Sequence, residues 1–311
     1  MTHADNTLPA TEWTQEIRPC PVCGQTAYVV LGDRGGPAHH AGRGLAAVVV
    51  RCRRCHAVYP RPCLLPRGNP YAAHSSDEYF QVHDPSVKAE AGRCLARRAA
   101  QILGRTGRLL DLGCGRGELL MGASSEGWTV RGVEMTEPFA CTARASGFDI
   151  EVARVENCRS LDEQWDAILL AAILEHLYEP RECLKRILGA LSPGGVVFVD
   201  VPNECGLWTR VGNAYMRLRR RSWAVNLSPT FPPYHVVGFC PGSLRFLAAD
   251  IGFEVVELRT HRWRNELPGR DSLLRGIEHL GASAVLSIGA WVGSGAGMTA
   301  WLRRPLNPNS A

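Results

Sequence analysis

Leu109-Leu110-Asp111-Leu112-Gly113-Cys114-Gly115-Arg116-Gly117-Glu118 sets an acid ahead of three glycines at alternate positions. Glycines in such a loop let the backbone turn with positive φ and let a ligand approach the main chain closely. The chemistry implied is nucleotide-type binding. A dinucleotide fingerprint would need a third glycine where Glu118 stands. Glu134, 17 positions beyond Gly117, closes the apolar run Val130-Arg131-Gly132-Val133 and can accept hydrogen bonds from ribose hydroxyls. Nearer the N-terminus, Cys20-x-x-Cys23 and Cys52-x-x-Cys55 are separated by 28 residues. Four thiolates at that spacing make a closed tetrahedral site suited to Zn²⁺, and neither pair opens a helix as a redox motif would. His56 takes the place of the glycine that often follows the second pair; His39 and His40 are not needed as ligands.

These residues must be positioned by elements legible from the hydrophobic pattern. Short β-branched runs are expected as strands at Arg108–Asp111, Thr129–Glu134, Asp149–Ala153, Trp165–Ala171, Val196–Val201, Gly252–Leu258 and Met298–Leu302. Helices are expected between them near Glu118–Ser125, Pro138–Ser146, Arg181–Leu191 and Ser243–Asp250, with a leading helix over Val87–Leu103. That alternation predicts a doubly wound α/β sheet. The expected organisation is a disordered N-terminus over 1–15, a zinc-ribbon module over 16–62, a connector and leading helix over 63–106, and the main domain over 107–305. Two stretches, 205–240 and 262–296, are long for α/β loops and are expected to build a lid over the substrate.

The D-x-G-x-G-x-G loop resembles the first motif of the class I S-adenosylmethionine-dependent methyltransferases. Leu174-Glu175-His176-Leu177, Leu191-Ser192-Pro193-Gly194-Gly195, Val201-Pro202-Asn203 and Pro233-Tyr234-His235 extend the resemblance to family-23 methyltransferases related to ubiquinone-pathway O-methyltransferases, over about Gly107 to Pro305. The resemblance implies a Rossmann-like sheet of seven strands with the last two antiparallel. It implies S-adenosylmethionine as cofactor, with Asp111, Gly113, Cys114, Gly115, Gly117, Glu134 and Ala171 at its site. Related sequences carry an acid shortly after the third strand to meet adenine; here that position holds Arg154, followed by Val155 and Glu156. The cysteine spacing resembles the N-terminal zinc modules of bacterial deoxysugar C-methyltransferases. In those, a tyrosine-rich stretch reaches the active site, which points to Tyr71 or Tyr79. In the same relatives a Glu-His pair lies near the acceptor, so Glu175 and His176 are candidate catalytic residues, with His176 first as general base. His235 is the second candidate, and the rival reading makes Glu175-His176 a pair that merely holds the loop. Asn203 is expected to orient substrate.

With 45% hydrophobic and 21% charged residues the chain can fill a core, and a net charge of +5 is too mild for a dedicated nucleic-acid surface. No signal-like segment opens the chain, so a cytoplasmic location is expected. Cys63, Cys94, Cys141, Cys158, Cys183, Cys205 and Cys240 lack ligand spacing and are expected as buried apolar side chains. Gly281–Leu302 is uncharged enough to raise a membrane span, although a strand ending fits the fold better. The basic amphipathic segment Trp208–Trp223 suits a phosphate-bearing or glycosylated substrate, an anionic membrane, or a solvated helix face. The expected function is methyl transfer to a small-molecule hydroxyl on a sugar, glycosylated metabolite or phenolic. The alternatives are a sugar C-methyltransferase, an RNA methyltransferase with a zinc ribbon, and a non-catalytic zinc-ribbon adaptor.

Overall fold

The computed structural model describes residues 13–35, 45–68, 84–263 and 273–306, with backbone alone at 273–275 and 277. Tyr71, Tyr79, His39 and His40 lie outside the described residues.

Five short strands form the N-terminal module: β1 (Trp13–Glu16), β2 (Tyr28–Arg34), β3 (Ala47–Cys52), β4 (Val58–Pro60) and β5 (Cys63–Pro66). β2, β3 and β4 make an antiparallel sheet, and β1 pairs with β5, Trp13 opposite Pro66. Residues 13–15, assigned to the N-terminal tail from sequence, are therefore in a strand. Pro66, read as part of an extended connector, is the partner that orders them.

Helix α1 (Pro85–Leu103) starts where the Asp84 carboxylate accepts the Ser86 N–H at 2.9 Å, with Pro85 in the first turn. Its buried face is small: Ala89, Gly92, Ala96 and Ala99. That lets it press on α2 (Glu118–Ser125), where a Cβ on Gly92 would come within 2.4 Å of the Leu119 carbonyl oxygen. Strand β6 (Arg108–Leu112) runs between these helices, and β7 (Thr129–Glu134), α3 (Glu137–Ala145), β8 (Asp149–Val152) and β9 (Trp165–Ala171) follow α2. Next come α4 (Pro180–Ala190), β10 (Leu191–Pro202), α5 (Leu207–Leu218), α6 (Pro241–Ile251), β11 (Glu254–His261), α7 (Leu273–Trp291) and β12 (Gly297–Arg303).

The main sheet has the order β11-β12-β10-β9-β6-β7-β8. β6 to β10 pair in parallel, while β12 runs antiparallel to both β10 and β11. All seven expected strands are present, most within two residues of their expected ends. β10 begins at Leu191, five residues before its expected start, with a register irregularity between Leu191 and Val196. Leu109, Leu110, Leu112, Ile168, Leu169 and Leu170 are completely buried, as continuous apolar runs in a doubly covered sheet must be. Each contributes about 2 kcal/mol of apolar burial.

Cys20, Val22, Cys52, Cys55 and Tyr59 of the N-terminal module belong to the same apolar cluster as Leu110, Ile168 and Phe239. The module is fused to the main core rather than tethered to it. Two expectations fail among the cysteines. Cys205 and Cys240 form a disulfide that staples the ends of the first insertion, and Cys94 and Cys141 are exposed on helix surfaces. Gly281–Leu302 divides between the end of α7 and β12, and no described helix is long and apolar enough to cross a membrane.

Candidate active site

A cavity of about 950 Å³ opens at the C-terminal ends of the parallel strands, where ligands bind in doubly wound sheets. The glycine loop forms one wall. Gly113, Gly115 and Gly117 have φ of 81°, 57° and 84°, the left-handed conformation that glycine adopts without cost. Glu134, at the tip of β7, organises this wall. One carboxylate oxygen accepts the Gly115 N–H at 3.0 Å, and the other accepts the Thr136 N–H at 2.8 Å and hydroxyl at 2.6 Å. Gly132 beneath it must lack a side chain, because a Cβ would sit 2.5 Å from Cys114 Sγ.

Asp111 is 1% exposed, and its Oδ2 has no hydrogen-bond partner. Burial raises its carboxyl to about 7, with Lys88 opposing the shift. A buried orphan carboxylate oxygen beside the tightly turned glycine loop is an acceptor that a cationic, hydroxyl-bearing cofactor would complete. Beyond β8, Arg154 and Glu156 line the cavity and pair at 3.3 Å. The cavity therefore carries an acid two residues after position 154. Ala171 and Ala172 form the floor, and Ala172 takes φ 56°, an uncommon conformation for alanine.

At the other end of the cavity stands His176, in a short 3-10 turn (Leu174–His176) after β9. Glu175 lies behind it, 1% exposed, with neither carboxylate oxygen hydrogen-bonded. Glu175 Oε1 is 4.0 Å from His176 Nε2 and 3.8 Å from His235 Nε2, and the two imidazoles stand edge to face with centroids 4.8 Å apart. A metal bound by such ligands at about 2.1 Å would draw them to about 3.4 Å, closer than they stand. Burial dictates the charges. Glu175 is raised to about 8, His176 is lowered to about 4, and His235 also falls well below the ordinary histidine value. Near neutrality the cluster is a protonated carboxyl and two neutral imidazoles. The Glu175 carbonyl also accepts the Val236 and Val237 N–H groups at 2.8 and 3.0 Å, anchoring the first insertion. His176 reaches the cavity; Glu175 and His235 do not line it.

Asn203 serves a different purpose from the one expected. Its side chain donates to the Gly295 carbonyl at 2.8 Å and accepts the Cys205 N–H at 3.1 Å, so it ties the two insertions together inside the protein. A pair absent from the sequence reading lines the cavity instead. His261, at the end of β11, reaches over β12 and donates from Nε2 to Asp200 Oδ1 on β10 at 3.0 Å. Its Nδ1 lies 3.2 Å from the Arg262 carbonyl, and the Asp200 hydrogen bond raises the imidazole above its ordinary value. The crossing is possible because Gly297 leaves room: a Cβ there would meet His261 Cε1 at 2.6 Å. Nothing in the local sequence signals this pair, since strand order alone brings it together.

The four N-terminal cysteines converge. Cys20 and Cys55 sulfurs are 3.6 Å apart, Cys23 and Cys52 sulfurs 3.5 Å, and all four lie within 4.8 Å of one another. A tetrahedral zinc with bonds of about 2.3 Å needs sulfur separations of about 3.8 Å, so the residues fit that ion. Each knuckle ends in a left-handed residue, Gly24 at φ 70° and His56 at φ 64°. His56 therefore occupies the conformation that makes glycine common after the second pair.

A seven-stranded sheet with β12 reversed, carrying an acid–glycine loop at the tip of β6, is the architecture of class I S-adenosylmethionine-dependent methyltransferases. Residues 87–258 match the family Methyltransf_23, a methyltransferase domain; the match spans more than half of the chain, and the chain belongs to that family. Ubiquinone biosynthesis O-methyltransferases of Salmonella arizonae and Escherichia coli are 30% and 31% identical to it over 132 residues, covering 39% of this chain and 54% of each relative. The chain thus spans about half the length of the curated relatives it matches. Among solved structures, the plantazolicin methyltransferase BpumL in complex with SAH superposes with a TM-score of 0.51 at 15% identity, covering 76% of this chain and 91% of that one. That similarity speaks for the fold.

Proposed function

We propose that this protein transfers a methyl group from S-adenosylmethionine to a hydroxyl of a small molecule, a sugar, glycosylated metabolite or phenolic. The observation that carries the reading is one continuous cavity, with the glycine loop, Asp111 and Glu134 at one end and His176 with the Asp200–His261 pair at the other. At about 950 Å³ it lies near the top of the range for ligand sites, with room for an acceptor beside a cofactor.

Bound S-adenosylmethionine would supply a methyl group made electrophilic by a sulfonium sulfur. Asp111 and Glu134 would hold it, the loop glycines would let it approach the main chain, and Glu156 would face its adenine. As the acceptor oxygen bonds to the methyl carbon, the carbon–sulfur bond breaks and the acceptor loses its proton. Neutral His176 is in the state to take that proton, whereas His261 Nε2 is already engaged by Asp200. Asp200, held by His261, would orient the acceptor hydroxyl. Positioning is most of the work in such an in-line displacement. Zn²⁺ at Cys20, Cys23, Cys52 and Cys55 would be structural: its site is closed, and no step passes through it.

Calorimetric titration with S-adenosylhomocysteine tests the reading. Micromolar binding is expected for the wild type, with at least about a tenfold loss in Glu134→Ala, since that change frees both loop amides. His176→Ala should keep the binding and slow transfer to a screened acceptor by about 10²-fold or more. Absence of binding by folded wild type would refute the assignment.

A further inference from the structure

The two insertions also build a surface that methyl transfer does not use. α5 and α7 run antiparallel and in contact. The Leu207 N–H donates to the Ser294 carbonyl at 2.8 Å at one end, and the Tyr215 hydroxyl meets the Glu278 carboxylate at 3.1 Å at the other. On α7, Leu280, Ala284, Ile288 and Trp291 follow one another at steps of four, four and three, a single helical stripe. The stripe faces solvent: Leu280 is 69% and Trp291 87% exposed. α5 shows the same pattern in Val211, Tyr215 and Leu218, the last 82% exposed. Adjoining apolar stripes of this size mark an interaction surface rather than scattered exposure.

Charge identifies the partner. Arg210, Arg217, Arg219, Arg220 and Arg221 are exposed along and just after α5, and residues 207–221 include no acid. Glu278, the one acid within α7, is engaged by Tyr215. A second copy packed on this face would set the arginines against their own images, whereas a layer of lipid phosphates would meet them. A terminal tryptophan beside aliphatic side chains suits the boundary between headgroups and acyl chains.

We propose that the α5–α7 face docks on a bilayer containing anionic phospholipid, its apolar stripes entering the headgroup boundary and its arginines contacting lipid phosphates. The surface adjoins the cavity. Arg262, which lines the cavity, reaches Ser283 and Ser287 of α7 at 3.4 Å each.

Co-sedimentation of the full chain with vesicles tests this. Binding is expected to phosphatidylcholine vesicles containing phosphatidylglycerol, weakening as salt is raised, and not to phosphatidylcholine alone. Ile288→Glu with Trp291→Glu, and separately Arg219→Glu with Arg220→Glu, should each weaken binding by about tenfold or more, with the circular dichroism spectrum and S-adenosylhomocysteine binding unchanged. No vesicle binding, equal binding to both compositions, or variants that bind like wild type would overturn the proposal. So would a wild-type dimer that Trp291→Glu converts to monomer, which would assign the face to a second copy. Cofactor binding reports separately on the methyltransferase reading.

Discussion

Glu175 is a carboxyl whose surroundings keep it neutral: completely buried, unpaired, and raised from 4.5 to about 8. A group whose pKa is raised on folding contributes stability that is complete below the unfolded value and is lost as pH climbs through the folded one. The cost of ionising Glu175 therefore accrues between about 4.5 and about 8. His176 acts in the opposite sense. Lowered to about 4, its contribution is present above 6.5 and lost as pH falls through about 4. Glu175→Gln keeps the shape and removes the titration. Chemical denaturation at about pH 6 and about pH 8.5 should show a smaller stability loss in the variant than in the wild type. A remainder will persist in the variant, because Glu204 is likewise raised to about 8 by burial. Equal losses in the two proteins would mean that Glu175 is already ionised near neutrality.

Among the elements, β12 shapes the Asp200–His261 end of the cavity by what it lacks. His261 can cross it only because residue 297 has no side chain. Gly297→Ala should push the imidazole off Asp200, and the His261 titration followed by NMR should drop back toward the ordinary histidine value, with cofactor binding retained. An unshifted titration would show that the ring does not depend on that opening. The same crossing explains what could be read from the sequence. Asp111, Glu134 and the glycines belong to local patterns, a strand end followed by a tight turn, and local patterns are visible in a string of residues. So were the strands: the central parallel ones are apolar runs, and β11 alternates as a half-buried antiparallel strand does. Asp200 and His261 are 61 positions apart and meet only through strand order. Asn203 looked like a substrate ligand because it follows a strand at the ligand-binding edge, but its amide is spent on the Gly295 carbonyl. The Cys205–Cys240 bond joins residues whose spacing follows no ligand pattern.

At the scale of the whole molecule, the cysteine-bound module props the first insertion. Val58 exchanges backbone hydrogen bonds with Gly238 at 2.9 and 2.7 Å, Asp33 with Ser222 and Ala224 at 2.6 and 2.9 Å, and the Thr230 hydroxyl donates to the Leu45 carbonyl at 2.7 Å. Arg34 lies over both Trp223 and Phe231. If zinc occupies the four thiolates, stripping it with a chelator should speed amide exchange across residues 222–238 while leaving β6 to β9 protected. Exchange unchanged in that segment would separate the module from the first insertion. The sheet carries a further consequence in its order of assembly. β12 is the last strand among the described residues, yet it lies between β10 and β11. During synthesis the cofactor half of the sheet, β6 to β9, can form early. β11 has no neighbour to join until residues 297–303 have left the ribosome. A nascent chain can therefore own the complete glycine-loop wall of the cavity while the wall that carries Asp200 and His261 is still unbuilt, and loss of those seven residues would leave it in that half-made state.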